Sequence, residues 1–164
     1  QRGLRRRRLR DRSDELEAVA AAREGISRGD GGPFGAVVVL DGRVIARAWN
    51  RVIREQDPTA HAEVCAVREA CRVLGRFHLE ACDLYTSCEP CPMCLGAIYW
   101  ARLRAVYYEA TRVDAAEVGF SDAQIYEEFA RSPGARALRF VRMESPGAQD
   151  VMRAWRADEG RRPY

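Results

Sequence analysis

The residues that most restrict the possible folds of this chain are His61, Cys91 and Cys94. Each lies at or near a predicted helix start. The two cysteines are three residues apart, so their sulfurs share a helix face, and the positive end of the helix favours thiolates. Two helix starts at the carboxyl ends of neighbouring strands form the usual crevice of an open α/β sheet. The sequence therefore predicts such a sheet with a ligand set at one end.

Imidazole and thiolate are ligands that Zn²⁺ prefers, and three protein ligands leave a fourth position for water. One neutral imidazole and two thiolates would balance the charge of the metal, so the bound water should lose its proton near neutral pH. Glu63 lies two residues from His61, too close to add much as a ligand but well placed to carry protons. These residues predict a hydrolytic zinc site.

A closed metal site is the structural alternative, because Cys88 precedes the cysteine pair at the same spacing. With Cys88 as a fourth ligand, the metal would only stabilise a zinc knuckle or a non-catalytic binding module. Such a module would need neither Glu63 nor an open position. An iron–sulfur site would need a fourth thiolate, and no cysteine follows Cys94.

Elsewhere the sequence predicts helices alternating with strands. The predicted helices cover residues 13–28, 59–74, 91–101, 115–118, 123–131 and 148–157. The predicted strands cover residues 36–40, 44–49, 82–87 and 103–108, with a possible strand at 137–141. Ser13 and Thr59 are the expected N-caps of the first two helices, and Asp41-Gly42 is a hairpin turn signal. The order predicts a mixed sheet sandwiched by helices.

Composition excludes several classes of protein. The 164 residues are 47% hydrophobic without a long apolar run, which predicts a soluble domain with no membrane span. Six cysteines at metal-type spacing favour a reduced, cytoplasmic setting. All 27 basic residues are arginine, so lysine Schiff-base chemistry is excluded. There are only two histidines and no G-x-S-x-G segment, which argues against a serine hydrolase.

The positive charge is concentrated at the start of the sequence. The chain carries +3 overall, but residues 1–12 hold seven arginines and one aspartate, a charge of +6, so the other 152 residues carry −3. We expect residues 1–12 to be a disordered leader and residues 13–164 to be a single domain. Because nucleic-acid binding needs a basic face on the folded body, a nucleic-acid partner is not favoured, although the leader could touch one.

Three longer segments carry a family resemblance. They are residues 31–36 (GGPFGA), 57–63 (DPTAHAE) and 86–100 (TSCEPCPMCLGAIYW), with further similarity at 114–117 and 119–122. The order H-x-E…P-C-x-x-C is typical of zinc nucleobase deaminases. From about residue 14 onward, and least at 131–147, the chain resembles the cytidine deaminase-like superfamily, most closely the bacterial guanine deaminases.

The resemblance implies a three-layer α/β/α sandwich with a mixed five-stranded sheet, zinc as cofactor and a small purine base as substrate. It implies that guanine and water give xanthine and ammonia, with zinc hydroxide attacking C2 and Glu63 moving the protons. It also implies a homodimer with exchanged C-terminal segments, in which Tyr164 closes an active site. An unimportant chain end is the alternative for Tyr164.

The resemblance further implies polar contacts to the substrate. Asn50 would hydrogen-bond the base, and the alternative is a turn residue after a strand. Asp122 would lie near the substrate amino group and accept a hydrogen bond or share the proton transfer, and it could equally cap the next helix. Ala62, inside the H-A-E motif, is also expected to contact the base.

Aromatic walls around the base are expected from Phe34, Trp100 and Phe120, for each of which ordinary core packing is the alternative. Ser121 replaces an acidic residue common in the family, which leaves guanosine or a related amino-heterocycle as another possible substrate. A tRNA adenosine deaminase shares the metal motifs but needs a basic groove for RNA. The mildly acidic body and the Tyr164 ending argue against that activity.

Overall fold

The computed structural model describes residues 2–145 and 147–163, with side chains from residue 13 onward in those ranges. The chain divides into two compact units between Asp122 and Ala123. The described helices are α1 (Arg2–Arg28), α2 (Val52–Glu55), α3 (Ala62–Leu74), α4 (Pro92–Trp100), α5 (Arg112–Glu117), α6 (Ala123–Ala130) and α7 (Gly147–Ala157), with a 3₁₀ turn at Pro133–Ala135. The described strands are β1 (Gly35–Leu40), β2 (Arg43–Trp49), β3 (Cys82–Cys88) and β4 (Ala105–Ala110).

The sheet has the strand order β2-β1-β3-β4. Strand β1 is antiparallel to both of its neighbours, whereas β3 and β4 are parallel, so the sheet is mixed as predicted. The predicted hairpin turn between β1 and β2 is confirmed, since Asp41 and Gly42 have φ values of 50° and 74° and two left-handed residues match the twist of a hairpin. The strand register places Gly35, Trp49 and Cys88 at the same end of the sheet.

Helices cover both faces of the sheet. Ala36 and Val38 on one face of β1 belong to a core cluster that includes side chains of α3 and α4. Val37 and Val39 on the other face pack with Ala18 of α1. Alternate residues of a strand point to opposite faces, so the all-apolar β1 segment is buried from both sides. The three-layer α/β/α prediction is therefore confirmed.

The prediction of a fifth strand is wrong: the part of the chain that the structure describes forms four strands. Residues 137–141 have irregular backbone, and their hydrophobic side chains are mostly exposed, with Leu138 at 72%. A strand is stable only when a neighbour satisfies its backbone N–H and C=O groups. Local composition favoured a strand here, but it carried no information about a pairing partner.

Two predicted helix starts also differ from the structure. Helix α3 begins at Ala62, with His61 as its N-cap, and not after Thr59. The Asp57 carboxylate accepts hydrogen bonds from both the backbone N–H and the hydroxyl of Thr59, each at 2.7 Å, which holds the preceding residues in a turn.

Helix α1 extends from Arg2 through Ser13, so Ser13 is not its N-cap. The side chains of residues 1–12 lie outside what the structure describes, so the leader and single-domain assignments stay predictions. Among the residues described, no helix combines the length and apolar character needed to cross a membrane.

Candidate active site

Helices α3 and α4 begin at the predicted metal ligands. His61 and Cys91 are their N-cap residues, and neither side chain makes a capping hydrogen bond. His61 Nδ1 lies 3.5 Å from Cys91 Sγ and 3.4 Å from Cys94 Sγ, and the two sulfurs are 3.6 Å apart. Tetrahedral zinc with ordinary bond lengths needs ligand separations of about 3.6–3.8 Å. The three side chains therefore fit a zinc ion with three protein ligands.

Contacts among these side chains set their protonation. A hydrogen bond with Cys94, followed by one with His61, lowers the pKa of Cys91 to about 4. The same bond to Cys91, together with burial, raises the pKa of Cys94. The contact with Cys91 also raises the pKa of His61. One thiolate is thus present at neutral pH, and metal binding would release the proton of Cys94.

Cys88 does not join this ligand set. Among the described residues, the group with ligand atoms within 4.8 Å of one another is His61, Cys91 and Cys94. The Cys88 thiol instead points to the carbonyl oxygen of Thr111, at 3.5 Å, and burial raises its pKa to about 11. Because the Cys88 sulfur lies outside the ligand group and contacts Thr111, the geometry does not support the closed knuckle.

Glu63 lies in the first turn of α3 and is only 5% exposed. Its Oε2 accepts a hydrogen bond from the Cys94 thiol at 3.4 Å, and its Oε1 accepts one from the Thr86 hydroxyl, also at 3.4 Å. Burial raises the pKa of Glu63. A carboxyl group with a raised pKa, in contact with a ligand set, is suited to accept and return protons.

Asn50 and two predicted aromatic residues lie around Gly32. The Gly32 N–H donates to Asn50 Oδ1 at 3.2 Å. The rings of Phe34 and Phe120 meet edge to face with centroids 5.0 Å apart, and a Cβ added at Gly32 would lie 3.1 Å from the first ring and 3.0 Å from the second. The structure therefore brings together three of the predicted substrate contacts.

The other predicted site residues are more scattered. Ala62 is fully buried at the first position of α3, whereas Trp100 is the last residue of α4 and 70% exposed. Burial raises the pKa of Asp122, and the negative charge of Cys91 adds to that rise. Tyr164 lies outside the described residues. The roles of these residues stay predictions.

Sequence reasoning missed Thr86, whose hydroxyl lies between the Glu63 carboxylate and the Gly35 carbonyl oxygen, 3.3 Å away. One signal was available. Thr86 continues the strand face of Cys82 and Leu84, which are buried, and a polar residue in that position needs a polar partner.

The fold and the His–Cys–Cys site define a zinc-binding deaminase. The family model described as the cytidine and deoxycytidylate deaminase zinc-binding region matches residues 12–110, which is more than half of the chain. The protein belongs to this family.

Three relatives show where the similarity extends. Guanine deaminase from Bacillus subtilis is 52% identical over 147 residues, covering 90% of this chain and 94% of the relative. An X-ray structure of guanine deaminase from Bacillus subtilis matches with a TM-score of 0.91 at 50% identity, covering 93% of this chain and 98% of that chain. The tRNA-specific adenosine deaminase from Agrobacterium fabrum is 45% identical over 102 residues, covering 62% of this chain and 67% of the relative. The similarity to the guanine deaminase thus covers much more of the chain.

Proposed function

We propose that the protein hydrolyses guanine to xanthine and ammonia. The observation that carries the proposal is the buried Glu63 carboxyl group in contact with a His–Cys–Cys ligand set. This combination suits hydrolytic removal of an amino group from a nucleobase. Similarity to a guanine deaminase over 90% of the chain supports guanine as the substrate.

His61, Cys91 and Cys94 would hold a zinc ion, which supplies Lewis-acid activation of water when bound. Glu63 accepts a proton from the attacking water and delivers it to the ring nitrogen next to C2, while the water oxygen adds to C2. Glu63 then carries the second water proton to the exocyclic amine. The C2–N bond breaks, ammonia leaves, and the oxygen at C2 becomes the carbonyl of xanthine.

The polar residues around the site can orient a flat purine. Asn50 offers its amide N–H groups, because its oxygen already accepts two backbone hydrogen bonds. Asp122 would accept a hydrogen bond from the amino group that leaves. Ala62, at the first position of α3, has a backbone N–H that helix geometry leaves without an intrahelical acceptor. Phe34 and Phe120 would bound the ring.

An ammonia-release assay on the zinc-loaded protein tests the proposal. The substrates are guanine, guanosine, adenine, cytosine, cytidine, ammeline and a tRNA anticodon hairpin. We expect the highest kcat/KM for guanine, and preference for any other substrate would overturn the assignment. Glu63→Gln should lower kcat by about 10²–10⁴-fold with unchanged zinc content. Glu69→Gln, at a partly exposed position of the same helix, is the matched control and should keep full activity.

We further propose that the protein is a homodimer. Leu95, Tyr99 and Trp100 of α4 are exposed, the second of them at 76%. Adjacent large apolar side chains on a helix favour burial against another copy of the chain. Analytical ultracentrifugation of the wild type and of Tyr99→Asp tests this. A monomeric wild type would contradict the dimer.

Exchange of the C-terminal segments, in which Tyr164 closes the partner's active site, is supported by the family resemblance. It can be tested by complementation. Glu63→Gln and a variant lacking Tyr164 should each be nearly inactive. In a mixed dimer with exchanged segments, one site combines the intact Glu63 of one protomer with the Tyr164 of its partner. Recovery of activity on mixing supports the exchange, and no recovery in verified mixed dimers contradicts it.

We also propose that the protein works in the cytoplasm. All six cysteines are free of disulfides, and two of them are needed as thiolates for the metal, which a reducing compartment maintains.

A further inference from the structure

We propose that the side-chain amide of Asn50 is held in one orientation by a clamp, so that its NH₂ group, and not its oxygen, is offered to the substrate. The clamp consists of three positioning residues, Asp30, Gly31 and Trp49. The proposal rests on the proposed function for the identity of the ligand only, because the clamp itself is made of contacts within the chain.

The orientation of the amide follows from its partners. Asn50 Oδ1 accepts hydrogen bonds from the backbone N–H groups of Gly32 and Val52, both at 3.2 Å. Two N–H donors can only be matched by an acceptor, so the oxygen must face them. Asn50 is 4% exposed, and the described residues give its NH₂ group no partner. The group is therefore left to donate to a bound molecule.

Gly31 makes the close approach possible. A Cβ added at Gly31 would lie 2.1 Å from Asn50 Oδ1 and 2.7 Å from its carbonyl oxygen. Both distances are far below van der Waals contact, so any side chain at this position must displace the amide. Gly31 does not have a positive φ, which means that space, and not backbone conformation, requires glycine here.

Trp49 and Asp30 fix the backbone on either side of the amide. The indole N–H of Trp49 donates to Asp30 Oδ2 at 2.8 Å. The Asp30 carbonyl oxygen accepts the backbone N–H groups of Ile53 and Arg54 at 3.1 and 3.0 Å. Asp30, 8% exposed, therefore ties the segment before Gly31 to the segments before and after Asn50.

The fixed amide restricts which group of a ligand can lie next to Asn50. If the amide cannot exchange the positions of its oxygen and its NH₂ group, the NH₂ group can pair only with an acceptor. A carbonyl oxygen or an unprotonated ring nitrogen fits there, whereas an amino group is disfavoured. A free asparagine could flip and accept either. The clamp thus converts an adaptable side chain into a fixed pair of donors. The entropy cost of ordering the amide is met when the chain folds, so it does not reduce the affinity for the ligand.

The chain offers a direct readout, since Asn50 is its only asparagine. Labelling with ¹⁵N-asparagine gives one side-chain NH₂ pair in the NMR spectrum. We expect two well-separated proton shifts in the wild type. We expect a collapse towards free-amide shifts in Trp49→Phe, which loses the indole donor, and in Gly31→Ala. Gly134→Ala, where an added Cβ meets nothing within 4 Å, is the steric control. Unchanged shifts in folded Trp49→Phe would overturn the clamp, whether or not guanine is the substrate.

A double-mutant cycle connects the clamp to turnover. Trp49→Phe should lower kcat/KM for guanine about tenfold, mainly through KM, with zinc content unchanged. In an Asn50→Ala background the same substitution should change kcat/KM less than twofold, because no amide remains to be positioned. An undiminished effect in that background would reject the positioning role. Absence of guanine activity in the wild type would instead refute the proposed function and leave the NMR result valid.

Discussion

Replacing Gly35 by alanine should destabilise the protein more than any other single added methyl group discussed above. Gly35 begins β1 where helix α1 crosses the sheet. An added Cβ would lie 2.1 Å from the carbonyl oxygen of Ala18, 2.5 Å from the backbone nitrogen of Ala22 and 3.0 Å from the Cβ of Ala21. The two nearest atoms are helix backbone, so no side-chain rotation can relieve the contact.

The magnitude follows from these distances. Ordinary contact begins at 3.4 Å, so α1 and β1 would have to separate by about 1.3 Å at this point. Overpacking typically costs about 1–3 kcal/mol, and a clash with backbone on a helix that packs over the central strands belongs at the upper end, about 3 kcal/mol. For a chain of this size, the melting temperature should fall by roughly 6–12 °C.

Urea unfolding followed by circular dichroism at 25 °C measures this change. Gly96→Ala in α4 is the matched control, because its Cβ meets nothing within 4 Å and alanine favours a helix by up to about 1 kcal/mol. An unfolding free energy for Gly35→Ala within about 0.5 kcal/mol of the wild type would refute the packing argument, since it would mean that the helix does not approach the strand so closely.

The remaining predictions concern the thiols and one ion pair. Cys91→Ser should lose bound zinc while Cys88→Ser retains it, as measured by elemental analysis of dialysed protein; equal loss in both would restore Cys88 as a ligand. Because burial raises the pKa of Cys88 from 9.0 to about 11, the unfolded chain loses this proton first, so its contribution to stability is complete below pH 9 and declines as the pH rises through 11. Relative to Cys88→Ser, the wild type should therefore lose up to about 2 kcal/mol of unfolding free energy between pH 8 and 10.5. A difference between the two proteins that does not change with pH would contradict this. Asp83→Asn should lower the unfolding free energy measured in urea by about 1–2 kcal/mol, because buried Asp83 accepts two hydrogen bonds from Arg104, at 2.8 and 2.6 Å. The half-exposed guanidinium limits the loss. No measurable change would show that water replaces the ion pair.

The metal ligands and Glu63 could be predicted from the sequence because their arrangement is local. Cys91 and Cys94 are joined by a single helical turn, and His61 and Glu63 by another. Helix geometry then decides which atoms face the same way. The long-range step, bringing the two helix starts together, followed from the alternation of strands and helices.

The clamp on Asn50 could not be predicted, because most of its contacts join residues 18–24 positions apart, and only the hydrogen bond from Val52 to Asn50 is local. Nothing in the sequence marks Trp49 as the partner of Asp30, and Gly31 reads as part of a flexible glycine-rich turn. The predicted number of strands was wrong for a related reason. Hydrophobic periodicity is a property of one segment, whereas a strand forms only when a second segment pairs with it.

The N-cap residues of α3 and α4 serve the ligand set and not the stability of the helices. Serine, aspartate or asparagine at such a position typically stabilises a helix by about 1 kcal/mol, yet His61 and Cys91 occupy these two places without capping. Aspartate substitutions there would strengthen both helices and destroy the ligand set. The two helix starts that hold the ligand set are thus less stable than this fold would allow.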